Sequence, residues 1–326
     1  MIRPTVVVEG GGRELKTPAV ALIPGRVKPW IPLASAPPRW HIARMANDPA
    51  PDPDALAARR AAYAREVTAR FGANDPAVEA AFAKVPREAF AGPPPWLIGA
   101  GDSDRWSMTS YPADLYRDRL IALIREKGIN NGQPSLHAIC IAALKLTHAD
   151  HVLHVGAGAG YYTAILAELA GPVDAYEIEP TLAARATACL APWPNVTVHA
   201  ESATGRPLPE ADAIYVSAGA SHPDPFWLDA LRDGGRLLFP LTGDEGWGGM
   251  LLIQRRGAAF AARFIAQCGF INCEGLRDPV TAVRLTTVFR GGGQDQVRSL
   301  TRHPPTGPTV WFAGDGWYLS TAEPAP

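Results

Sequence analysis

No apolar stretch of this 326-residue chain approaches the roughly 20 residues needed to cross a bilayer, and its first eight residues lack a secretory core followed by a cleavage site. The expectation is a cytoplasmic protein with no membrane partner. Excess charge is missing too. With 31 Lys+Arg against 32 Asp+Glu, no global field exists to recruit nucleic acid, so binding must be local. Cysteine is scarce: Cys140, Cys189, Cys268 and Cys273 are scattered without the C-x-x-C spacing of a zinc knuckle or redox dithiol, and read as free thiols. A catalytic triad or nucleophile elbow is also absent.

What is present changes along the chain. Nine prolines between Pro18 and Pro53 crowd a segment with little periodic pattern, which reads as an arm or ordered coil on the body. From Asp54, read as an N-cap, Leu56, Tyr63, Val67 and Phe71 recur at helical spacing, with Gly72 suited to the C-terminal turn. Asp75-Pro76 caps a second helix that Pro86 stops. Gly92 to Ser110 is loop-like. Leu120–Ile124 and Gly128–Asn130 flank a turn signal and suit a hairpin or a helix, and Pro134 opens a helix with Leu136, Ile139, Cys140, Ala143 and Leu144 on one face. Later segments alternate: helices around 182–190 and 226–231, strands at 152–155, 173–176, 196–199, 213–216 and 236–239. Strands separated by helices imply an α/β, mostly parallel, doubly wound sheet. Leu251–Ile253 and Arg284–Phe289 look like late strands, and 291–326 like a Gly- and Pro-rich tail.

The most informative segment is Val152-Leu-His-Val-Gly-Ala-Gly-Ala-Gly-Tyr-Tyr162, followed by Val173-Asp-Ala-Tyr-Glu-Ile-Glu179. It reads as a β-α-β unit for an adenosine-type cofactor. Gly156, Gly158 and Gly160 remove side chains where a strand bends into a helix, letting a ligand lie on the backbone. In the dinucleotide fingerprint the sixth position is small, yet here it is Tyr161, which disfavours nicotinamide cofactors and favours S-adenosyl-L-methionine. Glu177 ends the second run where a carboxylate can accept from two ribose hydroxyls, while Glu179 faces solvent. The expected cofactor site around this unit is Val155, Gly156, Ala157, Gly158, Gly160, Glu177 and Ile178. His148, His151 and His154 run from a helix end into a strand and are not expected to converge on a metal. His137 reads as a satisfied structural histidine. Trp96, Trp106 and Tyr111 read first as packing residues.

Val85-Pro-Arg-Glu-Ala-Phe90, Gly132-Gln-Pro-Ser-Leu136, the glycine turn, Asp212-Ala-Ile-Tyr-Val-Ser217 and Asp233-Gly-Gly-Arg-Leu237 together resemble the successive signatures of protein-L-isoaspartate O-methyltransferases, over about residues 55 to 255. The resemblance implies a Rossmann-like class I methyltransferase fold, with a seven-stranded sheet and a final antiparallel strand. It also implies S-adenosyl-L-methionine as donor and an isoaspartyl α-carboxylate of a protein or peptide as acceptor. The expected division is 1–53 as arm, 54–255 as methyltransferase domain with an N-terminal helical cap, and 256–326 as strands and tail completing the sheet. Such chemistry needs no general base: a carboxylate with a reference pKa near 3.5 is already ionised, and alignment is most of what catalysis requires.

Departures from the family pattern fall in the site. Gly132 stands where the family has Ser before Gln-Pro, and Asn131, Gly132 and Gln133 are the expected acceptor-site residues. His154 replaces an acid before the glycine turn. The resemblance also adds Ser202 and Ala203 to the cofactor site, Ser202 falling where an acid contacts adenine, with Glu201 beside it. Two alternatives therefore stand beside isoaspartyl repair: a methyltransferase dedicated to one peptide or small molecule, and a non-catalytic interaction module. The sequence does not disclose the oligomeric state.

Overall fold

The computed structural model describes residues 52–99, 106–305 and 307–324. Of the expected arm, only Asp52 and Pro53 lie within them, and they start the first helix. α1 (Pro53–Arg70) is capped by Asp52, which accepts from the Asp54 N–H at 3.2 Å, so the cap lies two residues earlier than expected. The reason is Pro53, whose fixed φ suits the first helical position and moves the boundary ahead of Asp54. α2 (Pro76–Lys84) is capped as expected: Asp75 accepts from Ala77 and Val78. α3 (Glu88–Ala91) is one turn.

The loop expected from Gly92 to Ser110 is corrected by β1 (Trp96–Gly99) and β2 (Trp106–Thr109), an antiparallel pair that prolines 93–95 concealed in the sequence. Gly99 allows it, because a Cβ there would sit 2.5 Å from the Trp106 ring. β3 (Leu120–Ile124) and β4 (Ile129–Asn130) form the hairpin, turned at Gly128 (φ 66°), and complete a four-stranded sheet in the order β2-β1-β3-β4. The hairpin feeds directly into α4 (Pro134–Leu144).

The large sheet follows from β5 (Val152–Val155), α5 (Tyr161–Ala167), β6 (Val173–Tyr176), α6 (Pro180–Cys189), β7 (Val196–His199), β8 (Ala211–Val216), α7 (Pro225–Ala230), β9 (Leu231–Thr242), β10 (Trp247–Arg256), β11 (Ala259–Gly269), α8 (Pro279–Gly291), β12 (Ser299–Thr301), β13 (Val310–Ala313) and β14 (Tyr318–Ser320). Its order is β13-β14-β12-β11-β10-β9-β8-β5-β6-β7. The five strands from β9 to β7 run parallel, and pairing from β9 through β13 is antiparallel throughout.

Among the described residues this sheet has ten strands where the resemblance implied seven. The surplus comes from the stretch read as a tail. Leu300, Phe312, Trp317 and Leu319 bury their side chains and carry the chain back onto β11, so the C-terminal extension is ordered sheet. The expected strand at Arg284–Phe289 lies inside α8. Its β-branched residues suggested a strand, but Asp278 caps the segment by accepting from Thr281 at 2.6 Å, and only one helical stripe, Thr281, Ala282 and Leu285, is buried.

Strand alternation divides the core in two. Val152, Val173 and Ala213 pack with α1, α2, α4, α5 and α6 on one face. Leu153, Val155, Ile214 and Val216 pack with α7, α8 and the C-terminal strands on the other. The parallel strands are thus covered on both sides, and their carboxyl ends open at the glycine turn.

Candidate active site

After β5 the chain turns through Gly156 (φ 77°) and Gly158 (φ 58°), values that L side chains reach only with strain. The N–H groups of Gly156 and Ala157 donate to the Tyr176 carbonyl at 2.9 and 3.1 Å, tying the turn to the end of β6. Glu177 follows at once. It is 7% exposed, and its carboxylate accepts from Gly158 N–H at 2.6 Å and from Glu179 N–H at 2.9 Å. Burial pushes its carboxyl above the ordinary value, against the pull of those two donors. Each oxygen keeps a further lone pair. A Cβ on Gly156 would rest in ordinary contact with Ser217 at 3.5 Å, so the left-handed φ rather than crowding calls for glycine there, and the turn lines the cleft through Gly156, Ala157 and Gly158. Gly160 (φ 94°) serves packing instead, since a Cβ there would lie 2.8 Å from Leu190 and its bareness lets α5 settle on the end of α6. Tyr161 tolerates no small replacement for a related reason: it packs edge-on against Phe82 and Phe90 of the helical layer.

Across the cleft lies the segment before α4. Asn131 donates its N–H to the Ile121 carbonyl at 3.0 Å and accepts the Ile121 N–H on Oδ1 at 2.7 Å, closing the β3–β4 hairpin. Asn130 Oδ1 accepts from Gly132 N–H at 2.9 Å. Gln133 donates to Asp118 at 3.0 Å. Asp118, its side chain 2% exposed, also accepts the Ser135 N–H at 2.9 Å and hydroxyl at 2.7 Å, and pairs with Arg70 at 3.2 Å.

Nothing in the sequence marked Asp118, which belongs to no motif. The signal nearest to it was Val-Pro-Arg. Arg87, buried, donates to the carbonyls of Leu115, Arg117 and Arg119, and so fixes the loop that presents Asp118 to the start of α4. Two signatures distant in sequence are one mechanical unit. The turn at Gly156–Gly158 and the segment Asn131–Gln133 line a single cleft of about 1540 Å³, which Tyr162, Ser217 and His137 also border.

Behind the cleft runs a buried polar chain. His154 Nδ1 lies 2.8 Å from the Thr163 hydroxyl and Nε2 3.1 Å from the Ser217 hydroxyl, and its ring stacks on Tyr215. Burial lowers its pKa to about 3, so it is neutral. The Tyr215 hydroxyl lies 2.6 Å from His137 Nδ1. His137 stacks on Tyr162 at 3.6 Å, and burial holds it well below the ordinary histidine range. The expectation of a fully satisfied His137 needs correction: Nε2 is buried with no partner.

Of the expected cofactor residues, Val155, Gly160, Glu177, Ile178, Ser202 and Ala203 lie outside the cleft lining. Ile178 is exposed at the strand end, Ser202 bonds Thr204 in the turn after β7, and buried Ala203 gives its carbonyl to Trp227 Nε1 at 2.8 Å. Glu201 pairs with Arg206 at the surface, and Glu179 is half-buried against Lys127 where solvent exposure was expected. His148 reaches the Ala170 carbonyl, and His151 sits between the Glu210 carbonyl and Asp174, away from His154. Trp96 is buried, its indole donating to Gly92.

Comparison with known proteins bears on this arrangement. The family model described as protein-L-isoaspartate(D-aspartate) O-methyltransferase matches residues 99–277. A protein-L-isoaspartate O-methyltransferase of Rhodopseudomonas palustris is 35% identical over 229 residues, 68% of this chain and 96% of the relative. A second, from an Anaeromyxobacter species, is 37% identical over 185 residues, 55% of this chain and 78% of its own. Among solved structures, a protein-L-isoaspartate O-methyltransferase superposes with a TM-score of 0.51 at 20% identity, over 66% of either chain. A putative Plasmodium falciparum one, in complex with S-adenosyl-L-homocysteine, gives 0.52 at 17% identity over 67% of this chain and 98% of its own. The two structures support the fold alone.

Proposed function

The chain belongs to the protein-L-isoaspartate(D-aspartate) O-methyltransferase family, and we infer from that membership that it is an S-adenosyl-L-methionine-dependent enzyme that methylates isoaspartyl carboxylates of proteins or peptides. The observation that carries this reading is the single cleft shared by the Gly156–Gly158 turn and the Asn131–Gln133 segment. A donor site and an acceptor site must face each other for in-line transfer.

The residues fit the cofactor. Gly156, Ala157 and Gly158 line the cleft at a strand end with no side chain larger than a methyl, and Glu177 offers free lone pairs beside them. Val155 would underlie the donor, Glu177 would accept from its ribose, and Ile178, Ser202 and Ala203 would border its adenine. S-adenosyl-L-methionine supplies a methyl group already activated on a sulfonium. The protein's part is then to orient the acceptor and exclude water, because an ionised carboxylate needs no base. Asn131, Gly132 and Gln133, anchored through Ile121 and Asp118, would give the acceptor side a fixed shape. Residues 54–255 would carry both half-sites, with 256–326 completing the sheet.

The test is methyl transfer from isotope-labelled donor to an isoaspartyl peptide and its aspartyl twin. Transfer to the isoaspartyl peptide alone is the expected result. Equal labelling of both, or of neither, overturns the reading.

A further inference from the structure

Resting on that methyltransferase reading, we propose that His137 is a catalytic residue whose Nε2–H hydrogen-bonds the acceptor carboxylate across the bare face of Gly132. The ring borders the cleft. Its Nδ1 is engaged by the Tyr215 hydroxyl at 2.6 Å, whereas Nε2 is buried without any partner. A buried ring nitrogen without a partner is costly, and at a site wall the natural compensation is a ligand.

Gly132 is what leaves the nitrogen available. A Cβ there would collide with Nε2, and the residue adopts φ 72°, so the ring edge and a side chain at 132 exclude each other. The sequence therefore places a polar group at this point of the acceptor wall from helix α4 rather than from the loop. The Tyr162 ring, stacked at 3.6 Å and 8°, and Phe270, edge-on at 5.9 Å, hold the imidazole plane.

The Tyr215 hydroxyl sets which proton His137 carries. It can donate to His137 Nδ1 at 2.6 Å, which places the ring's own proton on Nε2. The ring then ends in a single unmatched N–H at Nε2. The reverse direction would end in a lone pair facing the same place, which repels an anion. A carboxylate in the cleft thus selects the donating arrangement. One carboxylate oxygen is held by Nε2–H, and the other stays free to attack the methyl carbon.

The experiment uses the full chain. Wild-type transfer to an isoaspartyl peptide is measured first, and its absence would sink the methyltransferase reading itself. Where the wild type transfers, His137→Phe keeps the ring stack and removes the N–H. The expected result is a peptide KM raised at least tenfold, with donor affinity by calorimetry within twofold of wild type. An unchanged KM overturns the proposal. Nitrogen-15 histidine spectra of the wild-type protein test it independently of any variant. They should show a neutral His137 protonated on Nε2, whose resonance moves when isoaspartyl peptide is added with S-adenosyl-L-homocysteine. An Nδ1-protonated ring, or a resonance indifferent to the peptide, overturns it equally.

Discussion

The Gly158 N–H donates to Glu177 Oε2 at 2.6 Å, so the glycine turn and the acid at the next strand's end are one braced unit. Glu177 holds the turn's shape, and under the proposed reading it would also accept from the donor's ribose. Glu177→Ala should therefore weaken S-adenosyl-L-homocysteine binding by about 1.5–3 kcal/mol, the range for a lost charge-assisted hydrogen bond. Isothermal titration calorimetry checks this, and an unchanged Kd removes Glu177 from the site.

Asp118→Ala should act on the acceptor side only. It strips partners from the Ser135 N–H and hydroxyl and the Gln133 amide, and stability should fall by about 1–3 kcal/mol in urea titrations. Peptide KM should rise while donor Kd holds. A variant whose donor affinity falls as far as its peptide affinity would show that the two half-sites are not separately anchored.

Acid should destabilise the fold as pH falls below the ordinary histidine value. His154 titrates at about 3 when folded against an ordinary 6.5, and burial also lowers His137. Between those values the unfolded chain binds a proton that the folded chain refuses. Stability therefore falls as pH drops below 6.5, by up to about 1.4 kcal/mol per pH unit for each such histidine. Asp150 and Asp174, held below their ordinary value, add loss only further down, as pH falls below about 4. Unfolding free energies of wild type and His154→Gln from pH 5 to 8 provide the check. Equal slopes would mean that His154 is not the group responsible.

Native thiol chemistry should see one cysteine. Cys140, Cys268 and Cys273 are buried, with burial raising their pKa values, that of Cys273 to about 12, while Cys189 is partly exposed. A thiol-reactive disulfide should titrate one thiol slowly in the native protein and all four in guanidinium. Rapid native labelling of more than one thiol would contradict the burial.

How far the sequence could be read follows from where the signals were local. The glycine turn, the Asp75-Pro76 cap and the β3–β4 hairpin are set by neighbours a few residues apart, and each lies where expected. The α8 segment misled because β-branched residues suit a strand, and only the Asp278 cap and the buried stripe of Ala282 and Leu285 decide for a helix. The β1–β2 pair and the added strands β12 to β14 depend on partners far along the chain, which no window discloses. In the site, Gly132 was legible as a missing hydroxyl. That the His137 ring edge lies against Gly132, and that Asp118 anchors the segment, are facts of contacts made across α4 and the loop before β3.

The run β12, β14, β13 leaves the large sheet with β7 at one margin and β13 at the other, each only four residues long. On that side β12 pairs with the start of β11, at Phe260 and Ala261. There the C-terminal stretch acts as a hem, denying stray chains a template for unwanted intermolecular β-assembly.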